Sequence, residues 1–123
     1  MFDNMKTMAA LAGLMKNKDK IKEAGDRVRQ KMGETRVTGE AGAGAARAIV
    51  TGSMKVLSVE LAPGLVMGMA ADEKTRNLAG SLIADAVNDA LAKAQAKVRE
   101  AIDTEARELG LEGAIPGLMG MLS

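Results

Sequence analysis

The stretch that decides the fold is residues 35–62, TRVTGEAGAGAARAIVTGSMKVLSVELA, in which apolar and polar side chains alternate. A period of two is typical of β-strands, and it predicts three of them, at residues 35–40, 45–51 and 54–62. In the third, the alternation of LSVEL at residues 57–61 predicts one buried face and one face in solvent. Because the connections are so short, the three strands must form an antiparallel meander.

Glycines mark both connections of this meander. Gly39, Gly42 and Gly44 punctuate the first, and Gly52-Ser53 suits a tight hairpin turn that needs a positive φ. The first three also form the pattern G-x-x-G-x-G, which invites interpretation as a phosphate-binding loop. Such a loop requires a strand before the glycines and a helix after them, whereas here a strand follows. We therefore interpret this segment as a turn.

Helices are predicted on both sides of the strands. Apolar residues recur at helical spacing through residues 5–32, and Gly33 fits the position after the last turn. After the third strand, Pro63-Gly64 ends the ladder and residues 65–71 are expected to form a loop. Asp72 is a suitable N-cap for a long helix over residues 72–109, with Gly110 as its stop. Residues 110–123 carry four glycines and a proline, which predicts a mobile tail.

These elements predict an α+β fold with one domain over residues 1–109. A helix of some 35 residues is about 52 Å long, whereas a three-stranded sheet is only roughly 15 Å wide. One subunit cannot cover that helix. The material for a core is also thin, because Phe2 is the one aromatic residue and alanine supplies much of the apolar fraction. We therefore expect a second copy of the chain to complete the structure, as a homodimer.

Composition excludes several classes of function. The chain has no His and no Cys, so the commonest general base, nucleophile and zinc ligands are missing. We therefore expect no enzymatic activity, no cofactor and no metal. No apolar run approaches the roughly 20 residues of a membrane-spanning helix. The expected location is the cytoplasm, with no membrane partner.

The net charge of +1 hides an uneven distribution. Through Arg36 there are nine Lys and Arg against five Asp and Glu, and beyond it eight against eleven. An acidic partner such as nucleic acid would therefore be bound by the first third of the chain. On the predicted first helix, four basic residues fall within about 60° of one another. They are Lys16, Lys20, Arg27 and Lys31.

A second basic row lies on the other side of the apolar stripe and comprises Lys18, Lys22 and Arg29. Between the rows lie Asp19, Glu23 and Asp26, so an alternative interpretation is a solvated helix surface with ordinary ion pairs. No aromatic residue is interleaved with the charges, which argues against base stacking on single strands. Any binding to nucleic acid would rest on phosphates.

Four segments, in this order, resemble a known family. They are VTGEAGAG at residues 37–44, the stretch from Gly52 through VEL at 59–61 to Pro63 and Leu65, AVNDA at 86–90, and IPGL at 115–118. Together they are similar to the YbaB/EbfC family of bacterial nucleoid-associated proteins. The resemblance covers essentially the whole chain, although Ala62 stands where the family usually has Asp before the proline.

The resemblance implies a homodimer whose helices project like tweezers and which binds double-stranded DNA in the nucleoid. It implies little sequence preference and a role in coating or compacting the chromosome. The family's DNA contacts, attributed to the projecting helices, transfer here first to Lys16, Lys20, Arg27 and Lys31. The remaining candidates are Lys18, Lys22, Arg29, Lys93 and Lys97. The alternative is a dimeric adaptor that docks a protein through its apolar, Met-containing segments, residues 66–69 or 114–122.

Overall fold

The structure is a computed structural model that describes residues 18–110. The elements are α1 (Lys18–Glu34), β1 (Arg36–Ala41), β2 (Ala46–Thr51), β3 (Val56–Leu61), α2 (Pro63–Ala71) and α3 (Glu73–Glu108). The predicted α+β order of helix, three-stranded antiparallel sheet and long helix is confirmed. The predicted helical segment 5–17 and the predicted tail beyond residue 110 lie outside the described residues.

The described residues divide into two compact units. The sheet unit, residues 31–98, contains the three strands, α2, the end of α1 and most of α3. The helical unit contains residues 18–30 of α1 and residues 99–110, at the other end of α3. In the helical unit the buried apolar residues are small ones, Ala24 on α1 and Ala101 and Ala106 on α3.

The sheet has the order β1-β2-β3, with both neighbouring pairs antiparallel. One face of β1 and β2 is buried, because Val37 lies opposite Val50 and Gly39 opposite Ala48. The buried core combines this face with α3 through Ala86, Ala90 and Ala94. Five of its seven members are alanine, namely Ala46, Ala48, Ala86, Ala90 and Ala94. Alanine buries little area, so the core within one chain contributes little hydrophobic stabilisation.

The prediction for β3 was wrong about its burial. A β-bulge shifts the register, so that Ser58 lies opposite Ile49 while Val56 lies opposite Val50. Val56 therefore shares a face with Val59, and the simple alternation across 57–61 is broken at Leu57. Both valines and Leu57 are exposed, and Leu61 alone of β3 packs against the core cluster. The apolar residues of β3 are present as predicted, but the described part of this chain leaves Val56, Leu57 and Val59 exposed.

The segment predicted as a loop after β3 is the helix α2. Pro63 occupies its first turn, where a missing N–H costs nothing, and Leu65 and Val66 donate backbone N–H groups to the Ala62 carbonyl. No residue of α2 is buried. This helix was not predicted because it contains Gly64 and Gly68, and glycine disfavours a helix interior.

The ends of α3 agree with the prediction within one residue. The Asp72 carboxylate accepts the Lys74 N–H at 3.0 Å, as expected for an N-cap. At the other end Gly110 adopts a φ of +71° and donates its N–H to the Arg107 carbonyl. The end of α1 differs from the prediction, because the helix includes Gly33 and ends at Glu34.

Two glycines have roles that the sequence analysis assigned incorrectly. Gly39 lies within β1 rather than in a connection, and Gly52 does not have a positive φ. An ideal Cβ on Gly52 would lie 2.7 Å from the Met32 Sδ, so glycine is needed there for close packing against the end of α1. In that second connection Met54 has the positive φ, at 68°. In the first, the turn interpretation is confirmed, since Gly42 and Gly44 have φ values of 63° and 89°.

Candidate nucleic-acid interface

The exposed lysines of α1 form the most accessible set of predicted phosphate contacts. Lys18, Lys20, Lys22 and Lys31 are all exposed, and none has a carboxylate partner among residues 18–110. An ammonium group that is free of an ion pair can approach a phosphate without first displacing a carboxylate. Lys16, the remaining lysine of the predicted set, lies outside the described residues.

Arg27 is engaged by a carboxylate in the helical unit. Its Nη2 lies 2.9 Å from the Glu105 Oε2 and its Nε lies 3.3 Å from the Glu105 Oε1, so the pair is bidentate. The hydrogen bonds that Arg27 donates to the Glu105 carboxylate raise the pKa of Arg27 above its usual value. This guanidinium remains charged at any relevant pH, but it faces a carboxylate that a DNA phosphate would have to replace.

The other predicted phosphate contacts also differ in whether a carboxylate pairs with them. Arg29 has 84% of its side chain exposed and only a loose 3.8 Å pair with Asp26. Lys93 is held at 2.9 Å by Asp89, whereas Lys97 is exposed and has no such partner in the described part of the chain. Arg99 is also exposed without an ion pair there, and the sequence analysis did not single it out. The neighbouring acidic residues, Glu100 and Asp103, make this stretch of the sequence look like a surface with balanced charges.

Two of the segments that carry the family resemblance, VTGE in β1 and AVNDA in α3, pack against each other in the sheet unit. We call this contact the joint. Gly39 of β1 is so close to α3 that an ideal Cβ would meet the Ala90 N at 2.2 Å and the Ala86 O at 2.4 Å. One residue further, the Glu40 N–H donates to the Asp89 Oδ2 at 3.1 Å. The VTGE and AVNDA segments therefore fasten helix to strand. Their contacts build the scaffold of the sheet unit.

Asp89 is the polar centre of this joint. Hydrogen bonds from the Lys93 ammonium and from the Glu40 N–H lower the pKa of the Asp89 carboxyl below its usual range. On the opposite face of the sheet, Arg47 pairs with Glu40 at 2.7 Å across the β1–β2 ladder. Both carboxylates are therefore committed to structural contacts.

The sheet unit also exposes a set of large apolar side chains, here called the apolar set. Met67 on α2 has 75% of its surface exposed and Leu78, near the start of α3, has 54%. The other members are Val56, Leu57 and Val59 of β3 and Val66 of α2. The described part of one chain therefore leaves Leu78 largely uncovered.

Among residues 18–110, no three His, Cys, Asp or Glu side chains lie close enough together to hold a metal ion. Nor does any helix between these residues combine the length and the hydropathy that crossing a bilayer requires.

Comparison with known proteins agrees with the geometry. The model of the YbaB/EbfC DNA-binding family matches residues 5–109, which includes every described element. A nucleoid-associated protein of Pseudomonas fluorescens (strain Pf0-1) is 31% identical over 86 residues, which is 70% of this chain and 75% of the relative. Since the match extends over most of the chain and includes the joint between β1 and α3, the protein belongs to the YbaB/EbfC DNA-binding family.

Proposed function

We propose that this protein is a nucleoid-associated homodimer that binds double-stranded DNA through its backbone phosphates with little sequence preference, and so coats or compacts the chromosome. It acts in the bacterial cytoplasm, on the nucleoid. Family membership and the similarity to a nucleoid-associated protein support the DNA partner. The observation that carries the binding mode is the set of exposed lysines on α1 that have no ion-pair partner in the described part of the chain.

The lysines favour phosphates over bases for a chemical reason. A lysine ammonium is a point charge on a flexible stem, so it binds a phosphate without fixing the register on the bases. Sequence reading requires side chains that present paired donors and acceptors to base edges, such as Arg, Asn or Gln. Lys18, Lys20, Lys22 and Lys31 therefore favour binding that is sensitive to salt and tolerant of sequence. Arg29 and Lys97 are further exposed basic residues that can contact phosphates.

Arg27 and Lys93 are weaker candidates than the sequence analysis suggested. Each already has a carboxylate at 2.9 Å, from Glu105 and Asp89 respectively. A phosphate would have to compete with these carboxylates for the same donors. We therefore assign them a minor share of the DNA contacts.

The dimer is supported by what one chain leaves exposed. The core is mostly alanine, and the apolar set lies in solvent although it contains three large residues of a single strand. Fully burying a Val or Leu side chain stabilises a protein by about 1.5–3 kcal/mol. Val56, Leu57 and Val59 are 46%, 42% and 39% exposed, so β3 forgoes a part of that gain. A second copy that covers β3 and α2 would recover it on both subunits at once.

The test is fluorescence anisotropy with a labelled duplex of arbitrary sequence, titrated at several salt concentrations. We expect a linear log–log dependence on salt with a slope of several units, and the same affinity for a scrambled duplex. The double variant Lys20→Glu/Lys31→Glu should bind both duplexes less tightly. Its slope should fall by about two units per subunit, at roughly 0.9 per phosphate contact.

The matched control is Arg36→Glu/Lys74→Glu, which changes the net charge equally. Both residues are exposed in the sheet unit and have no ion pair among residues 18–110. If the two double variants lose the same affinity, only overall charge matters and the proposed surface on α1 is wrong. If the wild type does not bind at low salt, the DNA-binding proposal itself fails.

A second candidate function, a dimeric adaptor for a protein partner, is favoured by the exposure of Met67 and Val66. The other predicted docking segment, residues 114–122, lies outside the described residues. The variant Met67→Lys separates the two functions. If it becomes monomeric by sedimentation, α2 belongs to the subunit interface. If dimer and DNA binding persist unchanged, α2 is available to another protein.

A further inference from the structure

The two edges of the three-stranded sheet differ in whether their outward backbone groups are already hydrogen-bonded. The Gly52 N–H donates to the Thr35 carbonyl, which places Thr35 in a hydrogen-bonded pair of the β1–β2 ladder. Hydrogen-bonded pairs alternate in antiparallel sheets, so Arg36, Thr38 and Glu40 turn their backbone groups away from β2. These outward groups would accept another strand if nothing occupied them.

On β1 the edge is occupied by a side chain of α3. The outward N–H of Glu40 already donates to the Asp89 Oδ2, at 3.1 Å. The Asp89 carboxylate thus stands where the carbonyl of an incoming strand would have to be, and Lys93 adds a charge to the same place. The helix backbone lies against the face of this strand at Gly39, and the Asp89 side chain reaches from there to the edge. A charged side chain at the edge is one of the ways in which proteins block strand pairing.

On β3, no side chain among residues 18–110 is hydrogen-bonded to the outward backbone groups, although the β-bulge at Leu57 interrupts the strand. Thr51 donates its N–H to the Lys55 carbonyl, and the Ala62 N–H donates to the Ala45 carbonyl, so β3 uses its inward groups for β2. Val59 therefore turns its backbone outward, and its side chain is 39% exposed. The strand is apolar apart from Ser58 and Glu60, which makes it the attractive edge.

A second copy suits this edge. If two β3 strands pair antiparallel about an axis between Leu57 and Ser58, Val56 faces the partner's Val59 and Lys55 faces the partner's Glu60. Apolar and opposite-charge pairs across a ladder are both stabilising. The chemistry of the strand is thus complementary to itself.

We propose that Asp89 blocks the β1 edge and thereby directs strand pairing between subunits to β3, so that the protein closes as a dimer instead of growing into open chains. This inference rests on the proposed homodimer. With both edges open, β1 of one subunit could add to β3 of the next, and such a head-to-tail contact continues without limit unless it closes into a ring. The Asp89 carboxylate removes that alternative.

The test compares oligomer distributions by sedimentation velocity over a hundredfold range of concentration. Asp89→Ala removes the acceptor from Glu40 and should produce species larger than the wild-type oligomer, in proportions that rise with concentration. Asp89→Asn keeps an acceptor oxygen for the Glu40 N–H, and Lys93→Gln removes only the ion pair with Asp89. Both variants should therefore show the oligomer distribution of the wild type. Hydrogen exchange at the Glu40 amide should accelerate at least tenfold in Asp89→Ala at concentrations where it does not yet self-associate.

A second arm separates this inference from the dimer proposal. Val59→Lys places a charge on the β3 edge and should yield a monomer, whereas Asp89→Ala/Val59→Lys should again self-associate, through β1. If Val59→Lys keeps the wild-type mass, the assigned subunit interface is wrong, while the comparison of Asp89→Ala with wild type still tests the blocked edge. If Asp89→Ala is folded by circular dichroism and matches the wild type at every concentration, the inference is overturned. Should Asp89→Ala not fold, Asp89→Ser, whose hydroxyl is too short to reach Glu40, takes its place with the same two outcomes.

Discussion

Replacing Gly39 by alanine should destabilise the protein strongly, although it adds a single methyl group. The new Cβ would lie 2.2 Å from the Ala90 N, 2.4 Å from the Ala86 O and 2.7 Å from the Ala90 Cα. All three atoms belong to the backbone of α3, so no flexible side chain can move aside. Ordinary contacts are about 3.5–4.0 Å, and α3 would therefore have to retreat by roughly 1.5 Å.

The loss of stability can be estimated from the gap that would open between α3 and the sheet. A gap of roughly 0.5–1 Å already forfeits a quarter to a half of each dispersion contact, and the core alanines of α3 contact β1 and β2 over this same surface. Overpacking typically costs about 1–3 kcal/mol, and a clash with three backbone atoms belongs at the upper end. Alanine recovers only about 0.4–1 kcal/mol by restricting the unfolded chain. The net loss should be about 2–3 kcal/mol.

The assay is thermal unfolding followed by circular dichroism, at one fixed protein concentration because the proposed dimer makes Tm concentration-dependent. At about 3–4 °C per kcal/mol for a chain of this size, Gly39→Ala should lower Tm by about 6–12 °C. Gly80→Ala is the matched control, since Gly80 is exposed on α3 and a Cβ there meets nothing within 4 Å. Alanine should raise the helix propensity there, and Tm should not fall.

A Gly39→Ala protein that melts within about 2 °C of the wild type would refute this reasoning. It would mean that α3 does not lie against β1 as closely as the geometry requires. The role of the joint in fastening helix to strand would then be lost as well.

Three further predictions concern charge, acid and assembly. Glu105→Ala should strengthen DNA binding in the anisotropy titration and steepen its log–log salt slope by up to about one unit per subunit, because it removes both acceptors of the Arg27 guanidinium; an unchanged slope would show that Arg27 takes no part. Because the pKa of Asp89 is lowered in the folded protein, its stabilising contribution is present above the usual aspartate pKa of about 4 and is lost as pH falls through the lowered value. The Tm difference between wild type and Asp89→Asn should therefore shrink between pH 5 and the acid limit, and a constant difference would contradict this linkage. Val59→Lys should convert the proposed dimer to a monomer in sedimentation while the far-UV circular dichroism signal is retained, and an unchanged mass would exclude β3 from the proposed interface.

The sequence was most informative where a local rule decides the structure. Asp72 and Gly110 were assigned as the ends of the long helix because capping depends on a few consecutive residues, and both assignments hold. Gly42 and Gly44 were assigned to a turn because a positive φ is costly for other residues. The period of two in residues 35–62 predicted three strands and their antiparallel order, since short connections permit no other arrangement.

Tertiary structure decided what depends on neighbours distant in the chain. Gly39 and Gly52 look like turn residues in the sequence, yet each is required because backbone or side chains of another element come too close for a Cβ. The bulge in β3 changed which apolar residues share a face. The basic residues of α1 looked equivalent by helical position, but a carboxylate 78 positions away engages Arg27, whereas Lys20 has no ion pair among residues 18–110. Sequence alone thus determined the elements and their order, because these obey short-range rules. Close packing and ion pairing join residues that only the folded chain brings together, so the structure alone could rank the candidate DNA contacts.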